Sequence, residues 1–286
     1  MKNSTPQICA GIVSYNPSID RLLLSISSLQ AQVSKIFIVD NDSQNIDEIT
    51  QKLADYKQVS VYRNNANLGI AYALNQMCSY AQREKYEWIL TLDQDTICPR
   101  NLVSLMIPYT NREELGIICP AVNYEGWTCV AKKDISEEYV YACMTSASLT
   151  RLTYWSVVGG YRDDFFIDFV DNDYCMKLSL HGYKILRVYG CVINHQLGES
   201  GEINLFGIHR IRYSKHSPVR FYYMARNNYV FIKEYKSNIN VPKEYCKLLF
   251  VISKGIFFSD HKMNSLKLAY RGIKDGKKRK MGVFEA

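Results

Sequence analysis

Two aspartates stand directly after an apolar run that reads as a buried strand. Asp93 and Asp95 flank Gln94, and residues 88–92 before them are WILTL. Carboxylates two positions apart at the end of a strand can hold one hard divalent cation, while phosphate oxygens of a substrate fill its other positions. The pattern is short, and the same residues could serve only as turn or helix-capping residues. Their place at a strand end favours the cation site.

The segment FFIDFVDNDY, residues 165–174, places three further carboxylates among bulky apolar side chains. A carboxylate in such surroundings is costly unless it is paired, coordinated or needed for chemistry. Asp171 is the candidate general base, whereas Asp173 suits the positive N-terminus of the helix predicted to follow. His195 follows a strand-like run and is a candidate third metal ligand, although a lone histidine is more often structural.

Residues 217–235 begin with Ser-Pro, which predicts a helix with serine as its N-cap and proline in its first turn. Arg220 and Asn227 are seven positions apart and share a face of that helix, and Arg226 lies on another. A guanidinium fork matches the geometry of a phosphate, so Arg220 and Arg226 are candidate diphosphate contacts. The alternative for each arginine is a solvated surface side chain.

The elements that would position these groups alternate between apolar runs and helical stripes. The runs are 8–15, 35–40, 59–63, 88–92 and 116–122, and the stripes are 19–29 and 70–80. This order predicts an α/β fold in which helices flank a mainly parallel sheet. Ligands of such sheets bind beyond the carboxyl ends of the strands, where polar residues cluster in this sequence. We therefore expect a nucleotide at that rim.

The second half of the chain is less regular. Residues 139–150 are expected to form a strand or a helix, 171–181 a helix that Gly182 ends, and 184–189 a strand. The fold would comprise a catalytic domain over 1–215, with a nucleotide-sugar half (1–100) and an acceptor half (101–215). A C-terminal helical region would follow over 216–286.

Composition excludes several classes of protein. The 286 residues are 47% hydrophobic and 22% charged, as in a globular chain with a sizeable core. Nine cysteines without a C-x-x-C pair argue against a zinc knuckle or a disulfide framework. Neither a membrane-length apolar run nor a leader segment is present, so a cytoplasmic protein is expected. There is no phosphate-binding G-x-x-x-x-G-K-[ST] motif and no G-x-S-x-G motif.

The net charge of +7 is concentrated at the C-terminus. Residues 261–286 carry +6, which leaves the rest of the chain nearly neutral. The apolar residues of 243–259 alternate with lysines, which is typical of an interfacial helix. The tail could therefore bind the anionic inner face of the cell membrane, and the alternative is a solvated helix packed on the body. Nucleic acid is not an expected partner, because the body is near neutral and shows no recognition motif.

Seven blocks in order resemble the family 2 glycosyltransferases with the GT-A fold, specifically the bacterial L-rhamnosyltransferase branch. The blocks are IVSYNP, IVDNDS, NNANLGIAYALN, WILTLDQDT, FFIDFVDNDYCMKLSLHGYKI, INHQLGE and HSPVRFYYMARN. The resemblance implies that Asp93 and Asp95 hold Mg2+ or Mn2+ on a nucleotide diphosphate and that Asp171 deprotonates the acceptor. It implies a metal or diphosphate contact for His195. The nucleotide-binding blocks are matched by Ser14, Tyr15, Asp40, Asn41, Asn67 and Gly69.

The same resemblance implies dTDP-L-rhamnose as the donor and a polyprenyl-linked glycan acceptor in surface polysaccharide synthesis, such as that of O-antigen. One departure is Asp173-Tyr174, where the family usually has Glu and Trp. A single carboxylate base predicts one in-line displacement with inversion at the anomeric carbon.

Two other functions stay open at this point. A sugar nucleotidyltransferase would carry a glycine-rich basic loop after the first strand, and residues 14–17, SYNP, offer none. A non-catalytic sugar-binding or membrane-adaptor protein would bind nucleotide without depending on Asp171.

Overall fold

The computed structural model describes residues 6–124, 135–195, 200–205, 209–214 and 216–285. Within these ranges it gives the backbone alone for residues 124, 195, 200–205, 209–214, 251, 254 and 255. The strands are β1 (Ile8–Ser14), β2 (Ile36–Asp40), β3 (Val59–Arg63), β4 (Trp88–Asp93), β5 (Leu115–Tyr124), β6 (Glu137–Val140), β7 (Ser148–Arg151), β8 (Lys184–His195), β9 (Ser200–Leu205) and β10 (His209–Ser214).

Nine α-helices lie within the described residues. They are α1 (Ile19–Leu29), α2 (Ile46–Leu53), α3 (Ile70–Arg83), α4 (Leu102–Met106), α5 (Leu152–Val157), α6 (Val170–Leu180), α7 (Pro218–Tyr235), α8 (Val241–Phe257) and α9 (Lys262–Lys277). Short 3-10 turns cover Ile107–Tyr109 and Asp163–Phe165. None of these helices is both long and apolar enough to cross a bilayer.

Eight strands form one sheet in the order β3-β2-β1-β4-β7-β5-β8-β6. The first four strands are parallel, and β5 pairs with β8 in parallel. β7 runs antiparallel between β4 and β5, and β6 is antiparallel to β8 at the edge. The α/β fold expected from the sequence is confirmed, with a mixed second half that includes β6, β7 and β8.

The parallel register brings the carboxyl ends of three strands level. Ser14 at the end of β1 lies opposite Asp40 at the end of β2, and Val13 lies opposite Asp93 at the end of β4. Because parallel strands all end on the same side of the sheet, the loops that follow them meet there. This edge is called the strand-end rim below.

The core lies where helices cover the parallel strands. All five residues of β2 are buried, and α1 buries the stripe Leu22, Ile26 and Leu29, whose spacing is that of one helical face. Gly11 lets α3 approach β1, because a Cβ there would lie 2.8 Å from Sδ of Met77. This packing fixes the strands that carry the rim.

The chain divides into two compact units. Unit 1 comprises residues 1–163 and 170–195, and unit 2 comprises 164–169 and 196–286. In unit 2, α7 packs against α8 and α9 around Phe221, Leu248 and Ala269. Gly272 of α9 lies so near the carbonyl of Tyr222 that a side chain would not fit there. The catalytic-domain boundary after residue 215 stays a prediction, because the compact units describe packing rather than catalysis.

Candidate active site

The Asp-Gln-Asp segment is tied to two other loops of the rim. The backbone N–H of Asp93 donates to Oγ of Ser146 at 3.1 Å, and that hydroxyl also bonds Oγ1 of Thr96 at 2.8 Å. Oε1 of Gln94 accepts from the N–H of Tyr15 at 2.8 Å. The loops after β1, after β4 and before β7 are therefore fixed to one another.

Asp93 is partly buried and Asp95 is exposed. Among the described residues, no three His, Cys, Asp or Glu side chains gather as a metal site. Two carboxylates at one strand end still fit Mg2+ or Mn2+, because these hard cations prefer oxygen ligands and commonly take the rest from phosphates and water. The protein share of such a site would come from Asp93 and Asp95.

His195 ends β8, and its side chain lies outside the described residues. The backbone register places it opposite Tyr124 of β5, at the far end of that pair of strands. Its role as a metal or diphosphate ligand therefore stays a prediction.

The other expected nucleotide residues form a connected polar network on the rim. The carboxylate of Asp40 accepts from both the N–H and the hydroxyl of Ser43. Nδ2 of Asn41 donates to the carbonyl of Gly69 at 3.1 Å, and Oδ1 of Asn67 accepts from the N–H of Gly69 at 3.0 Å. These bonds fix the loops that a nucleotide would contact.

Gly69 is the residue before α3 and has a φ of 89°. That left-handed backbone strongly favours glycine, and it leaves the first amides of a 14-residue helix free of a side-chain cap. Such amides attract anionic groups. On the end of β1, Oγ of Ser14 is buried without a hydrogen-bond partner among the described residues, which leaves it able to bind a ligand.

Asp171 lines a pocket of unit 1. It lies in the first turn of α6, and the pocket is a small, partly open depression between this turn, β5, β7 and the loop before β7. Thr145 of that loop also lines the pocket, and the next residue, Ser146, is the one that contacts Asp93. The loop therefore links the Asp-Gln-Asp segment to the pocket of Asp171.

Asp171 is the one carboxylate among the described residues that line this pocket. Burial raises the pKa of the lining phenols of Tyr161 and Tyr174 well above the ordinary value. Hydrogen bonds to the thiols of Cys119 and Cys175, together with burial, raise the pKa of Cys143. These groups stay protonated near neutral pH, which leaves Asp171 as the base that the pocket offers.

Asp173 has a different environment from Asp171. Its carboxylate is fully buried, 3.2 Å from Nζ of Lys177 and 3.9 Å from Nη1 of Arg162. Lys177 also donates to the carbonyl of Gly160 at 3.1 Å. Asp173 therefore ties α6 to the preceding loop of unit 1.

The arginines of α7 lie in unit 2. Arg220 makes a two-pronged ion pair with Asp168, with Nε to Oδ2 at 3.1 Å and Nη2 to Oδ1 at 3.0 Å. The side chain of Arg226 is fully buried, and it donates to the carbonyls of Asp164, Phe165 and Gly282. Among the described residues, the Arg226 guanidinium therefore bonds backbone carbonyls of unit 2, and its contact with a diphosphate stays a prediction.

Sequence reasoning missed Ser146 and the partners of Asn227. Ser146 is 53 positions from the backbone amide that it accepts from, and it follows no motif. Asn227 is buried, and its Nδ2 donates to three carbonyls of residues 165–168. A buried polar side chain needs partners of this kind, but helical periodicity gives only the face on which it lies.

The fold and the site together define a class of protein. A mixed α/β sheet flanked by helices, with polar loops beyond the ends of its parallel strands, is the arrangement of the GT-A glycosyltransferases. The sequence profile described as "Glycosyl transferase family 2" matches residues 9–182. The chain therefore belongs to glycosyl transferase family 2.

Known proteins agree with this assignment. The dTDP-rhamnosyl transferase RfbF of Shigella flexneri is 26% identical over 243 residues, which cover 79% of this chain and 80% of that protein. The crystal structure of S. aureus TarS 1-349 in complex with UDP-GlcNAc matches with a TM-score of 0.61 at 13% identity, over 94% of this chain and 80% of that one. GalNAc-T7, crystallised with UDP, GalNAc and Mn2+, matches with a TM-score of 0.58 at 14% identity, over 68% of this chain and 44% of that one.

Proposed function

We propose that this glycosyltransferase is an inverting, metal-dependent rhamnosyltransferase. It would transfer L-rhamnose from dTDP-L-rhamnose to a hydroxyl of a glycan acceptor. The observation that carries the mechanism is the single carboxylate, Asp171, among the described residues of a pocket whose loop is bonded to Asp93.

In this mechanism Asp171 takes the proton of the acceptor hydroxyl, and the hydroxyl oxygen displaces the nucleoside diphosphate from the anomeric carbon in one step. A retaining enzyme that forms a glycosyl intermediate needs a second carboxylate as the nucleophile, and the described lining supplies none. A cation held by Asp93 and Asp95 would stabilise the charge that develops on the leaving diphosphate. Ser14, Tyr15, Asp40, Asn41, Asn67 and Gly69 would form or support the nucleotide contacts, and Arg220 would contact the diphosphate if its ion pair opens.

The donor sugar and base come from similarity. The relative from Shigella flexneri bears dTDP-rhamnose in its name, and it aligns along most of both chains. The structural neighbour TarS was crystallised with UDP-GlcNAc, so other donors are held by the same fold. The test is to titrate the purified protein with dTDP-L-rhamnose, UDP-GlcNAc and other nucleotide sugars in Mg2+ or Mn2+, and to score binding and donor hydrolysis. Preference for a non-rhamnose donor would overturn the assignment.

Two alternatives are less well supported. A nucleotidyltransferase would need free donors in the loop after β1, but the N–H of Tyr15 is bonded to Gln94 and that of Asn16 to Ser43. A non-catalytic binding protein has no need of a lone carboxylate in a pocket beside the rim.

The acceptor is proposed to be linked to a polyprenyl lipid, as in surface polysaccharide synthesis, with the enzyme bound to the inner face of the membrane. In unit 2, α8 exposes Leu249, Phe250 and Phe257 at 63%, 68% and 67%, and Lys243 and Lys247 on the same helix are also exposed. Apolar side chains flanked by lysines suit an anionic lipid surface.

A point variant tests this attachment while α9 and the C-terminal residues stay in place. Phe250→Glu should lower flotation with vesicles rich in anionic lipid, and Leu24→Glu, on the exposed side of α1 in unit 1, should not. Equal flotation of both variants with the parent protein would contradict the attachment.

A further inference from the structure

The segment just before α6 has an unusual backbone. Phe166, Asp168 and Phe169 have φ values of 63°, 64° and 65°, in the left-handed region that favours glycine. Each such residue costs free energy, and bulky aromatic residues are rarely found there. Three of them within four positions persist only if the surroundings hold the backbone in place, which is typical of functional segments.

Asn227 of α7 donates hydrogen bonds to backbone carbonyls of residues 165–168. Its Nδ2 lies 2.8 Å from the carbonyl oxygens of Phe165 and Ile167, and 3.0 Å from that of Asp168. Arg220, two turns earlier on α7, holds the side chain of Asp168 through its ion pair. A single helix of unit 2 thus fixes both the backbone and the carboxylate of the segment.

Arg226 adds the next connection, to the C-terminus of the chain. Its Nη2 donates to the carbonyls of Asp164 and Phe165 at 3.2 Å each, and its Nη1 donates to that of Gly282 at 2.6 Å. The N–H of Gly282 in turn donates to the carbonyl of Asp164 at 2.8 Å. A closed ring of bonds therefore joins Arg226, Gly282 and the start of the segment.

The C-terminal residues are themselves anchored on unit 2. The N–H of Phe284 donates to the hydroxyl of Tyr223 at 2.7 Å, and its ring lies edge-on to that of Tyr222 at 4.7 Å. The guanidinium carbon of Arg271 lies 4.8 Å from the centre of the Phe284 ring. The last residues of the chain thus pack as part of the structure around Arg226.

We propose that Arg226, Asn227 and residues 282–284 form a C-terminal clamp that positions the catalytic base. The clamp fixes the strained backbone of 165–169, and two peptide bonds further on the chain reaches Asp171. These are positioning residues, and the inference rests on the proposed role of Asp171. This proposal assigns a function to Arg226 and Asn227, the last two residues of the MARN sequence, and to residues 282–284.

The experiment measures hydrogen exchange of the peptide over 164–170 and the kinetics of transfer in the same full-length variants. In Asn227→Ala, exchange of 164–170 should rise while peptides of residues 6–120 keep their rates. The kcat should fall about 100-fold, since small misplacements of a catalytic group cost this much. The KM for the donor should stay within about twofold, because only the base is displaced.

Arg279→Gln is the matched control, because Arg279 lies on the same tail and pairs with Glu234 at the surface. It should leave both readouts unchanged. If Asn227→Ala does not fold, a chain ending at residue 281 and the milder Phe284→Leu provide the same comparison. The proposal is overturned if exchange of 164–170 is unchanged in a folded variant, or if exchange rises while kcat holds. A parent protein that shows no transfer with any donor refutes the proposed function, and the exchange measurement alone then tests whether the clamp holds the segment.

Discussion

The backbone amide of Asp93 donates to the hydroxyl of Ser146, 53 positions later in the chain, at 3.1 Å. This bond connects the first residue of the expected cation site to the loop that lines the pocket of Asp171. The loop before β7 thus contacts both the expected binding site of the leaving diphosphate and the pocket of the proposed base.

Removing this hydroxyl tests the connection. Ser146→Ala leaves the Asp93 amide and the Thr96 hydroxyl without this partner, which should cost about 1 kcal/mol of stability per bond. We expect a higher Mg2+ concentration for half-maximal activity, because the Asp93 backbone is less fixed. Metal titrations of initial rates measure this. Ser104→Ala removes only a local exposed bond on α4 and should match the parent protein; equal metal dependence of both variants would contradict the connection.

Asp171→Asn tests the base. The amide keeps the shape of the side chain but cannot accept the acceptor proton, so kcat should fall by about 10²- to 10⁴-fold with donor binding kept. Single-turnover rates and nucleotide titrations measure the two quantities. The exposed Asp47→Asn of α2 serves as the control. Retained turnover in a folded Asp171→Asn protein would mean that another group takes the proton.

Asp173→Asn should affect stability in addition to any effect on rate. It breaks ion pairs in which the Asp173 carboxylate is fully buried, and removal of one partner of a buried pair typically costs about 3–5 kcal/mol. Urea unfolding of the variant beside Asp171→Asn measures this, and the larger loss is expected for Asp173→Asn. Equal midpoints would show that the buried pairs contribute little.

Cation dependence is expected to follow Asp95. Asp95→Asn changes an exposed side chain, so the folded protein should be as stable as the parent. Its activity should be lost at low Mg2+ and partly return at high Mg2+, because one of two carboxylate ligands remains. Initial rates across a metal series after treatment with a chelator test this. Full activity of the parent protein in excess chelator would remove the cation from the mechanism.

The environment of His216 predicts that the free energy of unfolding decreases as the pH is lowered. Burial and the nearby Arg220 lower its pKa, and Asp168 opposes them only in part. The folded state therefore prefers the neutral imidazole, so this contribution to stability is full above the unfolded pKa, near 6.5, and falls as the pH decreases towards the folded pKa. His216→Gln should lose less stability than the parent between about pH 7 and pH 5. Identical pH dependence of the two unfolding midpoints would contradict this.

Local patterns predicted the parallel half of the fold well. The first four strands lie within one residue of the expected bounds, and α1 has the predicted bounds. β1, β2 and β4 are almost fully buried, and burial on both faces produces clear apolar runs. The helix α2 was not predicted, since its buried Ile46, Ile49 and Leu53 form only a narrow stripe in a polar stretch. For residues 139–150 the sequence predicted either a strand or a helix, and this segment contains the end of β6, a loop and the start of β7. Their pairing is long-range and leaves no local period.

Some residues of the candidate site could also be predicted from the sequence and others could not. The aspartates at the strand ends could be predicted because the topology of a parallel sheet places the ends of its strands on one side. Ser146 and the burial of Arg226 could not, because each depends on partners more than 50 positions away along the chain. Residue spacing predicted the face of α7 on which Arg226 lies. It did not predict that residues 164 and 165 would supply the carbonyls that this side chain bonds.

The stereochemistry of the first product tests the central claim most directly. NMR of the product formed from dTDP-L-rhamnose and a lipid-linked glycan acceptor in Mg2+ reports the anomeric configuration of the new glycosidic bond. The account predicts a rhamnoside whose configuration is opposite to that of the donor, formed by the parent protein and not by Asp171→Asn. A product that retains the donor configuration, or equal transfer by Asp171→Asn, would contradict it.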